Sequence, residues 1–239
     1  MSLSDLRIRT GLDTEALARR YADEGVAQAS DFLEANSAEA VGTTLAGLPY
    51  VIVAPDETGQ TLVINDEVVR RFGEQQVRTF LQQTLQRAST GFAFIHQSYA
   101  LQDEYARHPD LPIARVTEFL QSRAFLDVGE AVTGQPVDGV RVQASNYRRG
   151  DFLTLHDDSH TKDDRVAAFT LGFTRGWRPD WGGQLLFHDA GGDIVRGFSP
   201  GFNVLTVFQV PQAHSVAQVA AFAARPRLSL TGWFIRQAR

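Results

Sequence analysis

From Asp138 onward the chain is written almost entirely in short extended runs. Val140, Val142 and Ala144 alternate with Arg141 and Gln143, which gives that segment one apolar and one polar face. Val166–Leu171, Gln184–Phe187, Asn203–Phe208 and Arg227–Phe234 follow, separated by glycine and proline turns. Strands at these intervals suit an antiparallel barrel or jelly roll.

The first half reads differently. Asp13 caps a helix that carries Leu17 and Tyr21 on one face and stops at Gly25, and a second helix is expected over Ser37–Leu45. Tyr50–Val53 and Thr61–Ile64 form a strand pair around Pro55, Asp56 and Gly59. Asp66 to Ala88 keeps Val69, Phe72, Val77, Phe80 and Leu81 at helical spacing with a break near Gly73. A longer helix is expected over Pro112–Val132, closed by Gly134-Gln-Pro136. The expected architecture is therefore α+β: a double-stranded β-helix (jelly-roll) core supported by N-terminal helices. It forms one domain over residues 1–239, with residues 1–136 as support and residues 137–239 as core.

Composition narrows the function. A formal charge of −5 supplies no basic stripe, so direct nucleic-acid binding is not expected. Cysteine is absent, so any metal must use histidine, carboxylate or other oxygen ligands. Asp5, Arg7, Arg9, Asp13, Glu15, Arg19 and Arg20 interrupt the opening segment as a signal peptide, and no apolar run suits a membrane span. A cytoplasmic protein is expected.

The chemistry concentrates in three residues. His156 and Asp158 form a His-x-Asp pair, and His214 follows downstream in Pro211-Gln-Ala-His-Ser-Val216. Residues two apart in a strand project to one side, which selects Asp158 over Asp157 as the partner of His156. His214 must come from a neighbouring strand. Two histidines and one carboxylate leave metal positions open for reaction, the donor set of Fe(II) oxygen chemistry.

These residues stand among further motifs: Tyr147 upstream, Arg165-Val-Ala167, Trp181-Gly-Gly-Gln-Leu185, and the closing Arg227-Leu-Ser-Leu-Thr-Gly-Trp-Phe234. Over Asp138–Phe234 the chain resembles the 2-oxoglutarate/Fe(II)-dependent oxygenases of the prolyl-hydroxylase branch. The closing motif is similar to that of enzymes hydroxylating a ribosomal-protein proline. The resemblance implies that His156, Asp158 and His214 bind Fe(II) and form the catalytic centre. It also implies that Arg227 pairs with the distal carboxylate of 2-oxoglutarate, assisted by Ser229 and Tyr147. Arginine's planar fork suits that carboxylate. O2 is the second cosubstrate and ascorbate a candidate reductant. The implied partner is a proline-containing protein or peptide, with a ribosomal protein as one candidate; the alternatives are a hydroxylase of free proline or another small molecule, and a catalytically silent jelly-roll binding module. One position departs from the resemblance: Gly172 stands where many relatives carry tyrosine, which removes a donor for the cosubstrate or opens room for substrate.

The remaining candidates read as structural. His160 falls in a polar loop after Asp158 that could act as a lid, His188 in a hairpin turn, and His96 and His108 lack partners in the sequence. Trp233 reads as core, Arg225 as a surface charge, and Phe92, Phe94 and Tyr99 as packing.

Overall fold

The computed structural model describes Leu3, residues 5–159 and residues 164–236; His160, Lys162 and most of the loop after Asp158 lie outside them. The first helix, α1 (Thr14–Glu24), is capped by Asp13, whose carboxylate accepts from Ala16 N at 2.8 Å. It ends at Gly25, in the left-handed conformation that glycine adopts without penalty. Then come β1 (Val26–Ser30), α2 (Ala35–Ala46), and the hairpin of β2 (Val51–Pro55) and β3 (Thr61–Ile64). The helices α3 (Asp66–Phe72) and α4 (Glu74–Arg87) part at Gly73, as the sequence predicts.

After β4 (Phe94–Tyr99) and α5 (Leu101–Arg107), the structure corrects one expectation. The single helix over Pro112–Val132 is two, α6 (Ile113–Gln121) and α7 (Arg123–Thr133). Ser122 between them is extended; its hydroxyl donates to Phe119 O at 2.7 Å while its own carbonyl accepts from Leu126 N at 3.0 Å. Serine competes for backbone groups in this way, and the break lets each helix turn its own apolar face inward.

The second half holds β5 (Gly139–Tyr147), β6 (Phe152–His156), β7 (Asp164–Phe173), β8 (Leu185–His188), β9 (Ile194–Phe198), β10 (Phe202–Gln209), β11 (His214–Val216) and β12 (Arg227–Arg236). All described pairings are antiparallel, in the order β1-β10-β7-β12-β5-β4-β6-β11-β8-β9, with the β2–β3 hairpin branching from β4. This is a jelly roll: one long curled sheet whose two halves meet at β4. The beginning of β4 pairs with β6 and its end with β5, so His96 lies at the fork. Strands from the N-terminal region thus enter the sheet itself: β1 extends it beyond β10, and β4 joins its halves. No helix among the described residues is long and apolar enough to cross a membrane.

The helices cover the outer face of the larger half-sheet. Phe125 of α7 packs its ring 5.3 Å from both Phe169 of β7 and Phe234 of β12. Gly129 permits this approach, because a Cβ there would lie 2.7 Å from the Phe234 ring. With its outer face committed to the core, β12 turns Arg227, Ser229, Thr231 and Trp233 inward. Phe234→Ala should cost about 3–5 kcal/mol, the range for a buried phenylalanine; urea unfolding followed by circular dichroism reads it, and an unchanged midpoint would contradict this packing.

Candidate metal centre and its cavity

His156 closes β6, and His214 opens β11 directly opposite it, so the two rings face each other with centroids 4.1 Å apart. His156 Nδ1 lies 3.0 Å from Thr154 O and His214 Nδ1 lies 2.7 Å from Gln212 O. A ring that donates Nδ1–H to a carbonyl keeps its Nε2 lone pair free for a metal. Asp158 completes the set: Oδ1 is 3.5 Å from His156 Nε2 and Oδ2 is 3.6 Å from His214 Nε2. The three donor atoms all lie within 4.8 Å of one another, close enough to share one ion. This donor set, neutral nitrogens with a carboxylate oxygen and no thiolate, suits Fe(II).

The alternation argument for Asp158 fails even though the structure brings that residue to the site. The strand ends at His156, and Asp158 turns inward through a left-handed backbone, φ 61°. That conformation costs an aspartate roughly 1 kcal/mol and persists only where the surroundings enforce it. They do so here. Trp233 Nε1 donates to Asp158 Oδ2 at 2.9 Å, and Arg165 donates to the Asp158 carbonyl at 3.0 Å while stacking 3.8 Å over the Trp233 ring. Trp233 is therefore not simply core, as the sequence reading had it; it orients the carboxylate. Asp157 stays exposed, its carboxylate taken by the Ser159 amide at 2.9 Å.

Protonation states favour metal binding. Burial alone would raise the Asp158 carboxyl, but the neighbouring His156 and His214 imidazoles and the Trp233 hydrogen bond hold it below its ordinary range. Burial, then the neighbouring His156, lowers His214 from 6.5 to about 4 and keeps it neutral.

The triad opens on a cavity of about 530 Å³ that also reaches Tyr147 and Arg227. Arg227 and Tyr147 are directly opposed across β12 and β5, with the guanidinium 5.1 Å from the phenol ring. Arg227 is only 6% exposed and has no carboxylate partner among the described residues. A buried cation without a counter-ion is costly, and an incoming carboxylate would compensate it. This is the structure's own evidence that a cosubstrate with a distal carboxylate fits. Ser229, also buried, does not line this cavity; it lines a separate pocket of about 20 Å³ that shares Arg227, with its hydroxyl 3.2 Å from Thr231 Oγ1. Room for substrate at Gly172 is not found: a Cβ there would meet Gly201 O at 2.6 Å.

Sequence reasoning missed two participants besides Trp233. Phe92 is half exposed at the cavity wall, its ring 5.3 Å from His156. His96 is buried and stacked on Tyr147 at 4.7 Å, and neither ring nitrogen has a hydrogen-bond partner. The only sequence signal for His96 was a polar residue inside an apolar run. His188 bonds Ser215 Oγ at 2.9 Å beside the β8–β9 hairpin, and Arg225 is held on Arg175 O at 3.0 Å; neither lines the cavity.

The comparisons agree with this geometry. The 2OG-Fe(II) oxygenase superfamily matches residues 142–235. No curated protein matches the chain. Among solved structures, a Pseudomonas putida prolyl-4-hydroxylase is 23% identical with a TM-score of 0.56, over 94% of this chain and 99% of that one. A Burkholderia pseudomallei oxidoreductase of the 2OG-Fe(II) oxygenase family is 16% identical with a TM-score of 0.61, covering 97% and 94%. A Trichoplax adhaerens prolyl hydroxylase, solved with a hypoxia-inducible-factor peptide fragment, is 14% identical with a TM-score of 0.63, covering 93% and 88%. At these identities the likeness is one of fold.

Two outcomes follow from the site. Trp233→Phe removes the hydrogen bond that orients Asp158 and should weaken Fe(II) binding about 10–100-fold, read by anaerobic titration; unchanged affinity would remove Trp233 from the site. The second concerns pH. Burial, and next the Arg227 charge, lower His96 from 6.5 to about 3. The unfolded chain takes up this proton near its ordinary value while the folded protein refuses it until far lower pH. Stability is therefore complete above about pH 6.5 and falls as pH drops towards 3, by up to about 1.4 kcal/mol per pH unit for one such group. In chelator-treated protein, His96→Phe should flatten this slope; an equal slope would contradict the buried neutral imidazole.

Proposed function

Residues 142–235 match the 2OG-Fe(II) oxygenase superfamily, and on that premise we propose that the chain is such an oxygenase and hydroxylates a prolyl residue in a protein or peptide. The observation that carries the cosubstrate assignment is Arg227, a buried cation without a counter-ion, facing three metal donors across one cavity. The prolyl assignment is supported by the resemblance of the closing strand, by the likeness to two prolyl hydroxylases, and by Phe92. A half-exposed aromatic ring against His156 offers a proline ring an apolar surface beside the reacting centre.

His156, Asp158 and His214 would hold the metal, and Arg227 would hold the distal carboxylate. Bound Fe(II) with 2-oxoglutarate and O2 supplies oxidative decarboxylation to succinate and CO2, with insertion of one oxygen atom into a substrate C–H bond. The chain's part is orientation. The Thr154 and Gln212 carbonyls fix both imidazoles, and Trp233 fixes the carboxylate between them. The planar fork of Arg227 would hold the distal carboxylate and so would orient the cosubstrate. Phe187 and Phe208 pack beside the His214 ring, the latter at 4.8 Å, and keep water from that side.

With Fe(II), 2-oxoglutarate, O2 and a proline-containing peptide, the protein should release succinate and add one oxygen to proline, read by mass spectrometry. His214→Ala should fall to background. Arg227→Lys loses a charge-assisted contact of about 1.5–3 kcal/mol and should raise KM for 2-oxoglutarate roughly ten- to a hundredfold. Hydroxylation of free proline but of no peptide would move the substrate to small molecules. Succinate formation that survives His214→Ala would sink the assignment.

A further inference from the structure

His96, Tyr147 and Arg227 form one row on the inner face of three adjacent strands. Gln97 and Ser98 of β4 pair with Asn146 and Ser145 of β5, which sets His96 beside Tyr147, and Tyr147 pairs with Arg227 of β12. The imidazole lies parallel to the phenol, 7° between ring planes, and lines the same cavity. It is only 5% exposed, yet both nitrogens lack a partner.

That combination is expensive. A buried polar group without a hydrogen bond forfeits the hydration it had in the unfolded chain, and such groups in native proteins call for an explanation. Packing alone would be served by phenylalanine, which stacks as well without the penalty. A ligand that supplies the missing partner accounts for a histidine here.

The same row says what that ligand is. A carboxylate has about four acceptor sites, and a bidentate guanidinium occupies two, leaving the others in need of donors. On the far flank of β12, the pair of Ser229 in β7 is Gly172, whose Cβ position is filled by Gly201 O. Position 172 itself therefore offers no donor. On the near flank stands Tyr147 of β5, and stacked on it is the neutral imidazole of His96, which always carries one N–H. We propose that His96 is a binding residue for the cosubstrate, donating a hydrogen bond to the distal carboxylate held by Arg227. This rests on the reading of the site as one for 2-oxoglutarate. The protein would then recognise the far end of its oxo acid from β4 and β12 together.

The test compares two oxo acids under anaerobic conditions with Fe(II), by calorimetric titration: 2-oxoglutarate, and 2-oxobutanoate, which lacks the distal carboxylate. His96→Phe keeps the stacked ring and removes both nitrogens; His96→Gln keeps a donor and serves if the phenylalanine variant misfolds, with near-ultraviolet circular dichroism as the check on folding. The expected result is a loss of about tenfold or more in 2-oxoglutarate affinity for His96→Phe, partial recovery for His96→Gln, and 2-oxobutanoate affinity unchanged in both. Equal weakening of both acids would make His96 a structural residue, and unchanged 2-oxoglutarate affinity would make it a bystander; either overturns the inference and leaves the oxygenase reading standing. Wild-type protein that binds neither acid would overturn that reading and this inference with it.

Discussion

The register of β12 against β5 and β7 is the constraint on which the rest of the molecule depends. Because side chains alternate across a strand, this one pairing commits Leu230 and Phe234 to the helices outside and Arg227, Ser229, Thr231 and Trp233 to the cavity inside. A slip by one residue would bury the helix-facing positions in the wrong layer and turn the guanidinium out of the site. The hydrophobic packing of Phe234 on Phe125 and Phe169 thus holds in place two polar contacts that do no packing: the unpaired cation and the indole N–H on Asp158. One strand carries the orientation of both the metal carboxylate and the cosubstrate.

The electrostatics follow from the same arrangement. Around Arg227 the fold provides burial without a negative partner, and His96, the nearest titratable group on β4, is held neutral by that burial and by the cation itself. The cavity therefore offers a net positive end to an anion, while the far end gathers a carboxylate and two imidazoles for a cation. A dicarboxylate oxo acid bridging a divalent metal and a guanidinium matches both ends. Left without ligands, the site holds uncompensated charge and unpaired polar atoms, the usual cost of a surface prepared for something else.

Much of this was legible in the sequence, and the omissions share a cause. Period-two alternation and turn residues gave β5, β7, β8, β10 and β12 but not β9, and capping chemistry at Asp13 and Gly25 gave α1 nearly to the residue. His156, His214 and Arg227 were found because their residue types and motif context already imply chemistry. What could not be read was lateral: which residues lie side by side on different strands. Trp233 reaches Asp158 across 75 positions of chain, and His96 meets Tyr147 only because β4 forks between two half-sheets. Even Asp158, also singled out from the sequence, reaches the cluster by a left-handed turn that no strand alternation encodes. The split at Ser122 belongs to the same class, since the hydroxyl's preference for the Phe119 carbonyl wins only once both helix faces have a sheet to cover.

The two ends of the cavity differ in how far they determine function. The metal and Arg227 end is made of buried groups on paired strands, so its chemistry is rigidly prescribed. The peripheral wall of the cavity is built from Phe92, just outside β4, and from Val53 and Thr61 of a hairpin that hangs from β4 by one strand. A site whose reactive half is fixed by the core and whose recognising half rests on peripheral elements can keep its reaction while its substrate changes. In this protein the apolar ring of Phe92 joins the two halves, since it packs 5.3 Å from the His156 ring and lines the same cavity.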